Sequence, residues 1–292
     1  MLVVHKFEDG CYAVGPALHT MDSLPVGVFD VEDAKGTPYI RPKLRTADQY
    51  IETNQAQLNE VVNDIESFFD PETRKKYEAF GVTYKRGILL YGAPGTGKTQ
   101  LINRIADMMT AKQYSVFYPD SSVALKVFQK TLPQLASKTP VIIVVEEVDG
   151  WVQYGDNQLI RLLDGEDSVA NIYYIFTTNF IDKIPDRIKN RPSRVARTFW
   201  IQPPAGTYRQ EFVKMYYSRA GIPINQEVLQ AVIGASGLTP DQIKNIVISV
   251  ECMGVSVHDA VRLYSQHVEI ERQGKLTGLF SGMENTNDDE SE

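Results

Sequence analysis

The chain has 292 residues and a formal net charge of −7, and 43% of its residues are hydrophobic while 23% are charged. This composition is typical of a soluble globular protein, excludes a collagen-like or low-complexity chain, and the length suggests roughly two domains. Five of the acids lie in the last nine residues. The rest of the chain is therefore close to neutral, which weighs against a broad surface for binding polyanions.

Cysteine content and hydrophobic runs bear on the location of the protein. Only Cys11 and Cys252 occur, far apart in the sequence, which favours a reducing compartment over a disulfide framework. The apolar start of the chain is too short for a signal peptide, and no apolar run approaches the roughly 18 residues that span a bilayer. We therefore expect a cytoplasmic protein without a membrane partner.

The first 80 residues predict short strands followed by helices. Two apolar runs flank the turn signal Asp9-Gly10 and predict a β-hairpin, and residues 24–43 contain two more short apolar runs separated by turn residues. From Gln55 the apolar residues recur with helical spacing. Asp70 followed by Pro71 then predicts the N-cap and first position of another helix.

From Gly87 the pattern alternates between strands and helices. Five strands interleaved with helices predict an α/β fold with a five-stranded parallel sheet that is covered on both faces. The predicted strands are 87–91, 114–118, 141–146, 172–177 and 197–201, and the predicted helices are 98–111, 121–137, 157–163 and 184–190.

After about Gly206 the strands stop, and four helical segments follow. The third begins with a capping box of Thr239 and Gln242 around Pro240. The chain then divides into five predicted regions. They are a small β-rich region (1–50), a helical linker (51–80), an α/β module (81–204), a helical lid (205–272) and an acidic tail expected to be disordered (273–292).

The sequence GAPGTGKT, residues 92–99, matches the phosphate-binding pattern G-x-x-x-x-G-K-[ST] between a strand and a helix. Such a loop wraps a triphosphate with backbone N–H groups, while Lys98 reaches the β- and γ-phosphates and the Thr99 hydroxyl holds Mg²⁺. ATP and Mg²⁺ are thus the expected ligands. The residues expected to bind nucleotide are Gly92, Ala93, Pro94, Gly95, Thr96, Gly97, Lys98, Thr99 and Gln100.

The sequence VIIVVEEVDG, residues 141–150, predicts a buried strand that ends in two acids. Ligands of open α/β sheets bind at the carboxyl ends of the strands, so these acids are placed for catalysis. One can orient Mg²⁺ or its water ligands, and the next can polarise an attacking water. The alternative is a pair of solvated acids at a strand end.

Together these motifs resemble the ATPase module of the AAA+ superfamily, in its classical AAA branch, over residues 81–202. Within that branch the sequence is more loosely similar to the mitochondrial-chaperone-like subgroup and to compact bacterial or phage AAA ATPases. KRGILLYGAPGTGKT is similar to its Walker A segment, VIIVVEEVDG to its Walker B segment and IFTTNF to its sensor 1 strand. NRPSR resembles the segment that carries its arginine fingers, and the helices from 206 to about 270 resemble its small lid domain.

The resemblance implies roles for individual residues. Glu147 takes the place of the catalytic Walker B glutamate, and Asn179 takes that of the sensor 1 asparagine that helps orient water. Arg191 and Arg194 match the fingers that reach a neighbouring subunit. Glu146 stands where the family usually has an aspartate, and we expect it to be associated with Mg²⁺ through a water molecule. Slow hydrolysis is one expected consequence of this departure from the family pattern. An arginine typical of sensor 2 is not evident in the lid.

In the aromatic residues that could grip a substrate, the chain departs from the family pattern. The aromatic-hydrophobic-glycine pore loop of family unfoldases is missing after the second strand, where Phe117 and Tyr118 are candidates but fit strand-core residues better. A second candidate loop carries Trp151 and Tyr154, with packing inside the protein or against a neighbour as the alternative.

The resemblance implies an ATP hydrolase that forms a homo-oligomer, expected to be a hexameric ring, and that remodels or disassembles a protein partner. Two alternatives stay open. One is a nucleic-acid-associated motor or loader, which the near-neutral body disfavours. The other is an ATP-dependent assembly switch or scaffold with slow hydrolysis.

Overall fold

The computed structural model contains one large sheet with helices on both faces and a separate helical lid. The strands are β1 (Leu2–Lys6), β2 (Tyr12–Pro16), β3 (Gly27–Ala34), β4 (Thr37–Pro42), β5 (Lys85–Tyr91), β6 (Ser115–Pro119), β7 (Val141–Val145), β8 (Ile172–Thr178) and β9 (Arg197–Trp200). The residues that the structure describes are 2–6, 12–16, 24–44, 55–134, 140–153, 170–189 and 195–265.

The helices alternate with the strands of the module and then continue alone. They are α1 (Gln55–Phe69), α2 (Pro71–Ala79), α3 (Lys98–Ala111), α4 (Ser122–Thr131), α5 (Val148–Gln153), α6 (Asp186–Lys189), α7 (Gly206–Ala220), α8 (Gln226–Gly234), α9 (Pro240–Glu251) and α10 (257–265). The predicted helix 121–137 is shorter than expected, because a 3₁₀ turn that contains Pro133 follows α4. The predicted helix 157–163 lies outside the described residues.

The predicted α/β fold is confirmed, but the sheet has seven strands rather than five. Its order is β4-β3-β6-β7-β8-β5-β9, and every pair from β3 to β9 is parallel. The two added strands form an antiparallel hairpin, and β3 of that hairpin pairs with β6, the first of the five predicted strands in the sheet order. Lys35 and Gly36 both have positive φ in its turn, as a tight two-residue hairpin requires. The predicted hairpin of β1 and β2 is also present, although its turn lies outside the described residues.

Each face of the sheet buries its own hydrophobic cluster. On one face α1 and α3 pack with residues such as Ile65, Leu101 and Ile105, and on the other face α4, α5 and α6 pack with residues such as Phe128. The lid has a third cluster of its own, centred on Phe212 and its neighbours. A module and a lid that each bury a core can move relative to one another without exposing either core.

Helix starts follow the local chemistry that the sequence predicts. The Asp70 carboxylate accepts hydrogen bonds from the N–H groups of Glu72 and Thr73, and Pro71 occupies the first helical position. The capping box of Thr239 and Gln242 at α9 is present with both of its hydrogen bonds. Among the described residues, none of the helices has the length and apolarity needed to cross a membrane.

Candidate nucleotide site

The loop between β5 and α3 has the conformation of a phosphate cradle. Gly95 and Gly97 have φ values of +75° and +95°, a region that side chains with a Cβ rarely adopt. Gly92 is held by close packing, because a Cβ there would lie 2.2 Å from the carbonyl oxygen of Ile201. The loop therefore needs its glycines for both torsion and space, and α3 begins at Lys98 with its N-terminus beside the loop.

Lys98 is buried inside the loop. Its Nζ donates to the carbonyl oxygens of Gly92 at 2.7 Å and Ala93 at 3.0 Å. Burial lowers the pKa of Lys98 to about 8, and the negative charges of Glu147 and Asp149 offset only part of that effect. An incoming phosphate would bring negative charge next to the Lys98 ammonium group and stabilise its protonated form, which favours binding of a polyanion here.

The Thr99 hydroxyl donates to Glu146 Oε1 at 2.9 Å, so the two predicted Mg²⁺-associated side chains meet. Thr99 lies on the first turn of α3, and Glu146 directly follows β7. Mg²⁺ usually binds one or two protein oxygens together with substrate phosphates and several waters. Within the described residues, no group of three or more His, Cys, Asp or Glu side chains is suited to a metal ion. The two oxygens of Thr99 and Glu146 are enough for a Mg²⁺ ion whose other ligands are phosphates and waters.

Glu147 has a φ of +50°, which is uncommon for a residue with a side chain. The Thr177 hydroxyl of the neighbouring strand β8 accepts a hydrogen bond from the Glu147 N–H at 2.9 Å. Backbone strain of about 1–3 kcal/mol persists only where the surroundings enforce it, and it is concentrated at functional sites. The strained turn directs the two acids, Glu146 and Glu147, into the same cavity.

Asn179 follows β8 and lines that cavity beside Thr177. The turn that carries it is held by Thr178, whose hydroxyl donates to Asp149 Oδ1 at 2.7 Å and accepts from the Phe180 N–H at 2.9 Å. Asp149 is buried and belongs to α5, so the ends of β7 and β8 are joined behind the site. The amide of Asn179 is thereby placed by a fixed backbone.

The cavity has a volume of about 750 Å³ and two walls. The module wall consists of the P-loop, the two acids, Thr177 and Asn179. The lid wall was not predicted from the sequence, because the cations of α7 and α9 look like ordinary charges on helices. Its residues are Met215, Tyr216, Arg219, Pro240, Asp241 and Lys244. The lid lies directly against the P-loop, since a Cβ at Gly95 would be 2.9 Å from Thr239 Oγ1.

The remaining predicted residues fall in two groups. Phe117 and Tyr118 are buried in the sheet, and Trp151 is partly buried against the core of the module, so these aromatic side chains pack internally in this chain. Arg191 and Arg194, the predicted fingers, and Tyr154 lie outside the described residues. The roles predicted for the two arginines stay predictions.

Comparison with known proteins independently supports the interpretation of this cavity as the nucleotide site of an ATPase. Residues 88–203 match the family model described as ATPase family associated with various cellular activities (AAA). The Mitochondrial inner membrane i-AAA protease supercomplex subunit YME1 of Saccharomyces cerevisiae is 27% identical over 211 residues, 66% of this chain and 27% of that protein. The ATP-dependent zinc metalloprotease FtsH of Ureaplasma parvum is 23% identical over 224 residues, 70% of this chain and 31% of that protein.

A third relative is the Proteasome-activating nucleotidase of Saccharolobus solfataricus, which is 28% identical over 200 residues, 61% of this chain and 50% of that protein. The chain thus spans between about a quarter and half of the length of these relatives. The similarity covers the ATPase part and leaves the division into domains, the absence of a membrane partner and the cytoplasmic location as predictions.

Proposed function

We propose that this chain, whose residues 88–203 match the AAA ATPase family model, hydrolyses Mg-ATP within a ring of identical subunits to remodel or disassemble a protein partner. The observation that carries this proposal is the single cavity that unites Lys98, Thr99, Glu147 and Asn179. These groups are what phosphoryl transfer to water needs, namely a phosphate cradle, a metal-side oxygen, a base and a polar group that positions water.

The module wall supplies the chemistry. Lys98 exchanges its two carbonyl contacts for phosphate oxygens, and Glu147 accepts the proton of the attacking water while the Asn179 amide orients that water. Thr99 and Glu146 would hold Mg²⁺, and the metal would supply positive charge that offsets the charge of the phosphates. The turn that strains Glu147 places it in the lining of the cavity where this step would take place.

The lid wall supplies positive charge. Lys98 is opposed by Glu146 and Glu147 on the module wall, so that wall carries a formal charge of about −1. On the lid wall Arg219 and Lys244 outweigh Asp241, which gives about +1. A lid closed over the nucleotide therefore adds cations that balance the charge of the phosphates. The free energy of the contact between these cations and the phosphates is what nucleotide binding contributes to lid closure.

Ring assembly follows from the finger residues. Arg191 and Arg194 belong to the segment that resembles the family's arginine fingers, which act on the nucleotide of a neighbour. A protein partner is supported by the names of the relatives, which describe a subunit of a protease supercomplex, a metalloprotease and a proteasome-activating nucleotidase. Glu146 supports a second candidate, a slow assembly switch, because the longer side chain meets Thr99 directly and restricts the room for metal-bound water.

Mixed assemblies test the ring proposal. Wild-type and Arg191→Ala chains are combined at increasing mutant fractions at constant total concentration, and ATP turnover is measured together with molecular mass by sedimentation. Fingers that act in trans predict that turnover falls faster than the wild-type fraction, because each variant chain also silences a neighbour. A strictly proportional fall, or full turnover by a monomer, contradicts the proposal. Turnover per assembled subunit separates the motor from the slow switch.

A further inference from the structure

The connection between module and lid is anchored firmly at its module end. The Ile201 N–H donates to the carbonyl oxygen of Tyr91 at 2.8 Å, and the Ile201 side chain is fully buried in the module core. The carbonyl of Ile201 also packs against Gly92, the first glycine of the P-loop. Ile201 therefore moves with the module, and any shift of the P-loop is felt at this residue.

Arg209 anchors the lid end of the same connection. Its Nη1 donates to the Pro204 carbonyl at 3.1 Å, while Nε and Nη2 donate to the carbonyls of Val232 at 3.0 Å and Ile233 at 2.8 Å. Val232 and Ile233 lie in the last turn of α8, where carbonyl groups have no partner within the helix. One rigid guanidinium thus joins Pro204, α7 and α8 into one body.

Only Gln202 and Pro203 remain between the two anchors. The rings of Pro203 and Pro204 fix their own φ angles near −65°, and each proline also restricts the residue before it to extended conformations. Gln202 is exposed and is the one residue between Ile201 and Pro204 that has an unlocked φ. The motion of the lid is therefore confined to a very short and stiff hinge.

We propose that Arg209 is a positioning residue for ATP hydrolysis, because by tying Pro204 to α8 it confines lid motion to Gln202 and Pro203. That restriction determines where Arg219 and Lys244 meet the nucleotide phosphates. The inference rests on the proposed function, in which these two lid cations contact the nucleotide. It also gives the P-loop a short mechanical route to the lid, from Gly92 through Ile201 to the hinge.

The test compares Arg209→Met with Lys214→Met in the full chain. Lys214 lies on the same helix and makes an exposed ion pair with Glu211, so it is a matched control. Affinities for ADP and for the slowly hydrolysed analogue ATPγS are measured, together with kcat and KM for ATP. Arg209→Met is expected to reduce the preference for ATPγS over ADP roughly tenfold, within the usual range of intramolecular coupling. The control keeps the wild-type preference, and Arg209→Lys is expected to restore part of it.

A double-mutant cycle separates positioning from a merely structural role. In a chain that already carries Arg219→Ala and Lys244→Ala, Arg209→Met should change the ATPγS preference less than about twofold. An equal loss in both backgrounds overturns the proposal.

If Arg209→Met does not fold, Gln202→Gly tests the same hinge without touching any contact of Arg209. This substitution should also lower the preference for ATPγS over ADP, and an unchanged preference overturns the inference. Failure of the proposed function is distinct, since it would show as Lys98→Ala binding ADP as tightly as wild type.

Discussion

The polar groups at the two ends of strands β5 and β8 have opposite surroundings. At the amino end, Arg86 of β5 and Tyr173 of β8 both bond to Asp64 of α1, with the Arg86 Nε and Nη2 atoms 2.6 and 2.7 Å from its two carboxylate oxygens. The Tyr173 hydroxyl donates to the same carboxylate at 2.6 Å. At the carboxyl end, the same strands lead to the P-loop and to Asn179, where polar groups face an open cavity.

The difference shows where the fold places its stability and where it places its strain. Burial of Asp64 raises its pKa, but the hydrogen bonds from Arg86 and Tyr173 and the charge of the guanidinium outweigh this, so that the pKa lies below its usual value. The charges of Asp64 and Arg86 at that end are thus paired with each other. At the other end Glu147 has positive φ and Lys98 has a lowered pKa, which are costs that a binding site tolerates.

The largest expected effect comes from Glu147→Gln at the carboxyl end. Removal of a general base typically lowers turnover by about 10²- to 10⁴-fold, whereas the glutamine keeps the size of the side chain and its backbone hydrogen bond to Thr177. Single-turnover hydrolysis and ATP binding are measured on the same preparation. We expect bound, trapped ATP and an unchanged unfolding midpoint; turnover within a few-fold of wild type would remove Glu147 from its role.

The second effect comes from Asp64→Ala at the amino end. It leaves the Arg86 guanidinium and the Tyr173 hydroxyl without their shared acceptor, in a pair whose side chains are only 25% and 11% exposed. Breaking such a pair costs about 3 kcal/mol, measured as the free energy of unfolding in urea. ATP affinity per folded molecule should stay unchanged, and a loss of affinity without a loss of stability would break the comparison between the two ends.

The control for Asp64 is Glu60→Ala, on the same helix. Glu60 accepts from Arg197 at 2.6 Å, but both side chains are about half exposed, so the expected loss is below about 1 kcal/mol. The pH dependence also separates them. Because the folded pKa of Asp64 lies below its unfolded value of about 3.9, its contribution is present above pH 4 and is lost as the pH falls through the folded pKa. The difference between wild type and Asp64→Ala should therefore shrink at pH 3.

Local chemistry explains which features could be predicted from the sequence. The P-loop, the caps at Asp70 and Thr239, and the five core strands each depend on residues close together in the chain. The sequence predicts short strands where β3 and β4 lie, but the pairing of β3 with β6 could not be predicted, because β6 lies some 90 residues further on. The lid wall was missed for a similar reason, since Arg219 and Lys244 meet the P-loop only in the folded protein and lie far from it in the sequence.

The smallest expected effect, and the sharpest test of the carboxyl end, is Glu146→Asp. The Glu146 carboxylate now bonds directly to the Thr99 hydroxyl, and an aspartate there would withdraw by about one C–C bond length, roughly 1.5 Å. That withdrawal leaves more room for the water ligands of Mg²⁺, which keeps several waters when it binds phosphates. We therefore expect equal or higher kcat, by no more than about tenfold, and unchanged stability, measured by ATP turnover across a Mg²⁺ titration. A large loss of turnover would instead show that catalysis at this end of the sheet requires the full length of the Glu146 side chain.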